Sequence, residues 1–283
     1  MDVVFDCYWD VSIKNAERQK RVAGDGLQIK VVNSSQKCPK QWSKALRSGS
    51  NKTAIIKFLV EEWMKDTYSS VIPDTCDLNA TSGEECWHFT SNGGAVTRQL
   101  VSELRCNHEE ADTRMLLHAA HAARNGYSSV YLRSPDTDVA VIAVSLASQF
   151  PNAIQLIFRT GTKQRSRFID LTAVAAMYRS TAASLIGLHA FTGCDSCSAF
   201  SRKGKKERLM LLKDQRYSRS MAQLGQSFEL SPTLFSDLEA FVCAMYGRPA
   251  LHDVNEARYK LFCAKGSSTA QLSPCKDALE LHA

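Results

Sequence analysis

No apolar run in this 283-residue chain approaches the ~18 uninterrupted residues that a membrane-crossing helix requires, so no membrane partner is expected. The first ten residues lack a basic start and carry Asp2 and Asp6, which is not the pattern of a secretion signal. Without such a signal, ten irregularly spaced cysteines read as reduced intracellular thiols rather than a disulfide frame. The glycosylation patterns at Asn33, Asn51 and Asn79 then carry no meaning. There is no internal repeat and no low-complexity stretch. Walker loop, dinucleotide glycine fingerprint and nucleophile elbow are all missing, which removes the common nucleotide-hydrolase, dehydrogenase and serine-hydrolase readings. Cys194-x-x-Cys197 has no second pair at zinc-finger spacing, and His118 with His121 has no third ligand.

What is present is a local charge. Of 35 basic and 29 acidic residues, the window Ser201–Ser220 takes eight and two, leaving 27 of each sign elsewhere. The whole excess of +6 therefore sits in twenty residues. A phosphate backbone binds such a cluster; a solvated helix face is the plain alternative.

Along the chain, residues 3–5 read as a short strand ending at Asp6, and 12–21 as a basic helix. Residues 24–53 look like a loop, 53–64 helical, and 71–94 turn-rich without a clear period. Residues 107–125 read as a helix stopped by Gly126, followed by a strand at 128–133, an apolar segment at 139–146 and a strand at 154–158. Helices are expected over 168–178 and 181–192, the second closed by Gly193, and from 230 onward. Strands alternating with helices imply an α/β fold with a mostly parallel sheet.

Acidic residues recur at the element boundaries: Asp6, Glu109-Glu110-Ala111-Asp112, Asp136-Thr137-Asp138, and Asp195. Strand ends in open α/β sheets line ligand crevices, and several carboxylates suit hard divalent cations. Each also has a structural reading. Ser134 with Pro135 suits a helix start, Asn107 with Glu110 a capping box, Glu110 with Arg114 an i,i+4 pair, and Asp195 a cap.

The ordered blocks HEEADTR (108–114), SPDTDV (134–139) and HAFTGCDS (189–196), followed by a Gly/Lys turn, resemble the internal region of flap endonuclease/XPG-type nucleases. They are still more similar to a group of animal proteins, some transposon-associated, that carry these blocks. Val4-Phe5-Asp6 with the basic run after it is similar to that family's second N-terminal motif. The resemblance covers about residues 3–21 and 104–215. It implies a PIN-like domain over 1–200, with 24–100 a variable insertion, and a helical region over 201–283 containing a helix–two-turn–helix hairpin. It implies two Mg²⁺ or Mn²⁺ ions, one held by Glu110, Asp112 and Asp136 and the other by Asp138 and Asp195, with Asp6 in the same cluster. Lys14 and Arg18 would approach the scissile phosphate, and Lys203, Gly204, Lys205 and Lys206 would grip a duplex strand. The implied activity is hydrolysis of phosphodiesters in flap or single-strand-bearing DNA, with RNA as the other substrate and a nuclear location following from DNA. The alternative is an inactive, transposon-derived module that binds nucleic acid or a partner protein. Four departures stand out. The first metal-binding Asp of the family would lie upstream of this chain, and the last helix is expected to continue beyond it. Asp112 replaces a Glu, and Arg202 takes the place of the first hairpin glycine.

Overall fold

The computed structural model describes residues 1–21, 27–72, 76–150, 154–162, 165–194, 197–264 and 268–283. The chain divides into two compact units, Met1–Leu132 with Pro151–Ile154, and Arg133–Phe150 with Gln155–Ala283. The helices between 137 and 191 belong to the second unit because they pack with the C-terminal helices.

Unit 1 begins with β1 (Asp2–Val3) and α1 (Ile13–Arg21). Ser12 caps α1, its hydroxyl accepting from the Asn15 N–H at 2.9 Å. Residues 24–100, expected to be a variable insertion, carry α2 (Trp42–Ala45), α3 (Gly49–Glu62), β2 (Leu78–Ser82), β3 (Glu85–Asn92) and β4 (Ala95–Leu100). Asn51 ties this segment together. Buried in the first turn of α3, it donates to the carbonyls of Leu27 and Ala45 and accepts from the Ile29 N–H at 3.1 Å.

The sheet of this unit runs β1-β2-β3-β4. β1 and β2 are parallel, with Asp2 opposite Asn79, whereas β2–β3 and β3–β4 are antiparallel. The α/β class holds, but the sheet is not mostly parallel, and the cause is local. Gly83 opens the two-residue connection between β2 and β3, and Gly93-Gly94 form the next, with φ of +58°, +58° and +90°. Left-handed glycines in two-residue connections turn a strand back on itself. Val60 of α3 packs with Ile72, Leu78, Ala80 and Phe89, and Trp63 meets Phe89 edge-on at 6.4 Å.

α4 (Ala111–Arg124) starts four residues later than the periodicity suggests and ends before Gly126, whose φ is +83°. Its His118 is buried and bonds Asp2 at 2.6 Å, a packed histidine. The strand β5 (Ser129–Arg133) follows.

Unit 2 holds α5 (Thr137–Leu146), then β6 (Gln155–Thr160) and β7 (Arg167–Asp170) as an antiparallel pair with Phe158 opposite Ile169. The helix expected from 168 begins only at α6 (Leu171–Met177). Asp170 caps it, accepting from the Ala173 N–H at 2.9 Å, while residues 167–170 pair as a strand. α7 (Leu185–Phe191) is preceded by a 3₁₀ turn, Ala182–Ser184. α8 (Lys205–Leu209), α9 (Gln215–Gln223), α10 (Pro232–Met245), α11 (Val254–Cys263) and α12 (Lys276–His282) complete the unit. α10 is its centre. Ser231 caps it with Pro232 at its first position, and Leu234, Leu238, Ala240, Phe241, Val242, Cys243 and Met245 are buried around its circumference.

Candidate functional site

The acids of unit 1 gather at the N-terminus of α4. Asp6 reaches it from the segment after β1, its Oδ1 accepting from the Ala111 N–H at 2.8 Å. This carboxylate supplies the cap that Asn107 was expected to give, and it sits where the helix dipole favours negative charge. Glu110 occupies the cap position itself but makes no side-chain cap bond, and Asp112 lies in the first turn.

Cations from α1 stand on these carboxylates. Lys14 pairs with Glu110, and Arg18 pairs with Glu109 at 2.5 Å, its other amino group 3.8 Å from Asp6. Ser12 also donates to Glu109 at 3.0 Å, and the Cys7 N–H donates to the Glu109 carbonyl at 2.7 Å. Lys14 and Arg18, assigned by resemblance to the phosphate side, are thus partners of the acidic set in this structure.

Arg114 is not the i,i+4 partner of Glu110. It is 1% exposed and donates through Nη1 to the carbonyls of Phe5 and Gly83, and to the Cys7 sulfur at 3.1 Å. Burial nonetheless pushes the Cys7 thiol up despite the nearby guanidinium. Tyr8 adds an ordering contact, its hydroxyl donating to Asp6 at 3.3 Å. Burial first, and the Asp6 charge second, hold that hydroxyl well above the usual phenol range.

In unit 2, Asp136 is the N-cap of α5. Its Oδ1 accepts from the Asp138 N–H at 3.0 Å, while Ser134 Oγ accepts from the Asp136 N–H at the same distance. The cap reading of the Ser134–Asp138 stretch therefore describes its local geometry, shifted from Ser134 to Asp136. Asp138 lies 3.1 Å from His189 Nε2 on α7. Lys205 of α8 stands 2.9 and 3.3 Å from the two ring nitrogens of His189 and donates to its carbonyl at 3.1 Å. Nearly equal distances to both ring nitrogens put the ammonium over the ring face rather than on a lone pair in the ring plane. Burial lowers the Lys205 ammonium, and Asp138 opposes that shift.

The expected basic hairpin is partly committed inward. Lys203 lies over the Tyr246 ring at 4.3 Å and is held down by burial, whereas Arg202 and Lys206 are exposed. Arg208, also in the basic window, is buried and donates back to the Gly204 carbonyl. Gly204 has φ −72° with open space around it, so this turn does not need its glycine. Arg202 does adopt the left-handed φ, +56°, at the position where the first hairpin glycine was expected. Arg202→Gly is accordingly expected to stabilise unit 2 by about 0.5–1 kcal/mol, the left-handed strain relieved exceeding the extra unfolded-state entropy. A raised urea midpoint at unchanged slope would show it; a lowered midpoint would contradict it.

An all-oxygen donor set of Asp and Glu has the chemistry of a hard-cation site. Among the described residues, however, no three His, Cys, Asp or Glu side chains come together in a group that could hold a metal ion. Asp195, assigned to the second ion, lies outside the described residues. Sequence reading missed the partners that organise each set, Glu109 and Tyr8 in unit 1 and His189 in unit 2. Only Glu109 carried a signal, as the neighbour of Glu110 in an acidic block. Comparison with protein-family models, with curated proteins and with solved structures gives no match to this chain.

Proposed function

We propose that this chain is a PIN-like, divalent-metal-dependent nuclease domain that hydrolyses phosphodiesters in flap or single-strand-bearing DNA. One observation carries the reading. The acidic blocks that resemble the nuclease family, in the same order, form the N-terminal tips of α4 and α5, with Asp6 bonded to the first amide of α4. By the resemblance, Glu110, Asp112, Asp136, Asp138 and Asp195 would be the carboxylate donors, with Mg²⁺ or Mn²⁺ as the cation. When bound, such ions lower the pKa of an attacking water and stabilise the leaving oxygen. Lys14 and Arg18 neutralise the acids of α4 in the meantime, and their ammonium and guanidinium groups are the ones to meet a phosphate. Ser12 orients Glu109 against Arg18, and Tyr8 orients Asp6.

A second reading is favoured by the number of carboxylates already engaged. Asp6, Glu109 and Glu110 are held by an amide or by cations of α1, and Asp138 by His189. That pattern suits a PIN-like module that binds nucleic acid without cutting it. Incubating the purified chain with flap and single-stranded DNA in Mg²⁺ or Mn²⁺ separates the two. Cleavage that is abolished by both Asp136→Asn and Glu110→Gln is the expected result. Salt-sensitive binding without cleavage, weakened by Lys206→Ala, would select the binding module instead. Absence of binding under all conditions would end both readings.

A further inference from the structure

Unit 1 contains a cavity of about 180 Å³ beside the acidic tip of α4. Tyr8, Trp9 and Ile56 give it aromatic and aliphatic walls; Asp6, Cys7 and Gly83 also line it. Trp9 is 42% exposed, a large flat ring presented to solvent rather than folded into the core. Tyr8, by contrast, is fixed. Arg18 lies 4.9 Å from its ring centroid, Lys52 lies 5.0 Å from the centroid, and a Cβ placed on Gly49 would come 3.3 Å from the Tyr8 Cβ and Cδ1.

Lys52 is the informative neighbour. It is half-buried, and its ammonium makes no hydrogen bond or ion pair with a described residue beyond the ring of Tyr8. Burial lowers its pKa, a sign that the ammonium is poorly solvated. Arg18, in contrast, is already matched by Glu109. The cavity therefore offers flat aromatic walls, an apolar side and one adjacent cation that feels the Asp6 charge but forms no direct ion pair with a described residue. That combination suits a planar heteroaromatic ring carrying a nearby negative charge, which is the chemistry of a nucleotide unit.

We infer that this cavity is a subsite for one unpaired nucleobase, stacked on Trp9, with Lys52 taking the phosphate next to it. The inference rests on the proposed engagement of nucleic acid and adds that the bound strand is single at this point. A base paired inside a duplex keeps both faces stacked and has no face to offer Trp9.

The test is fluorescence anisotropy of the full chain, without divalent metal, on labelled 12-nucleotide single-stranded DNA, the equivalent RNA, and a blunt duplex. Trp9→Ala is expected to weaken single-strand binding about tenfold while duplex binding stays unchanged, and Trp9→Phe to retain most of the affinity. Lys52→Ala is expected to weaken single-strand binding several-fold and to lower the slope of log affinity against log salt by about one. Binding of either sugar supports the subsite, and the two single-strand arms tell DNA from RNA. Wild-type affinity of both alanine variants for single strands, or equal losses on single strand and duplex, would overturn it. If the wild-type chain binds duplex alone, the subsite falls while the nucleic-acid reading stands. Binding to none of the three removes both. Because Trp9 is half-exposed, its truncation leaves the core intact, and an unchanged circular dichroism melt confirms that.

Discussion

Gly187→Ala is expected to destabilise unit 2 by about 3 kcal/mol or more and to lower its melting temperature by roughly 6–12 °C. Gly187 lies in α7, where a Cβ would stand 2.0 Å from the Met221 carbonyl oxygen and 2.9 Å from its carbon. The obstacle is the backbone of α9, not the end of a flexible side chain, so α7 and α9 must separate to admit one methyl group. Separation is costly because Leu188 and Phe191 on α7 share a core with Leu212, Tyr217, Met221 and Phe241. Loosening the crossing exposes or voids that contact along its length. Intrinsic helix propensity acts the other way, since alanine is a better helix former than glycine by about 1 kcal/mol, and the steric term outweighs it. Gly204→Ala is the control. Its φ is −72° and nothing lies within 4 Å of the added Cβ, so a change within about 0.5 kcal/mol is expected. Equal melting temperatures for the two variants would show that the α7–α9 approach is not as close as described.

The same close approach marks what could and could not be read in the sequence. Elements with their own punctuation were legible. The helical pattern from 230 onward, the Gly126 stop of α4 and the apolar run of β5 are local signals, and each falls within a few residues of the observed boundary. β2 to β4 were not legible, because their inward and outward positions do not alternate by polarity. Ser91 is buried on β3 while Trp87 and His88 are only half-covered. Residues 168–170 fit a helix pattern on their own, and pairing with β6 decides otherwise. At the candidate site, the acidic positions were visible as residue types at boundaries, but their partners were not. Asp6 bonds an amide 105 positions away, and Glu109 meets Ser12 and Arg18 across more than 90. No spacing rule spans such separations. Tertiary packing alone sets whether a boundary carboxylate caps a helix, holds a cation or does both, and at Asp6 it does both.

Phe241→Ala is expected to cost unit 2 about 3–5 kcal/mol, the full range for an aromatic ring removed from a core that cannot collapse around the gap. Phe241 is 0% exposed at the middle of α10, and its ring meets Tyr217 at 5.4 Å and Phe191 at 6.0 Å, both edge-on. Those partners come from α9 and α7, so one truncation removes the contact that joins three helices. Neither neighbour can swing into the space. Tyr217 is held by its hydroxyl, which donates to the Ala240 carbonyl, and Phe191 already packs at a tilt against Phe200 and His282. Phe228→Ala supplies the contrast, because that ring is fully exposed and its loss should change stability by less than about 0.5 kcal/mol. All four tryptophans, Trp9, Trp42, Trp63 and Trp87, belong to unit 1, so tryptophan fluorescence does not report on this core. Urea unfolding of each variant should therefore be followed by far-ultraviolet circular dichroism. A Phe241→Ala midpoint no lower than that of Phe228→Ala would mean that α10 is not the centre of unit 2. A large drop in the first alone places the stability of the unit in the ring cluster of Phe191, Tyr217 and Phe241.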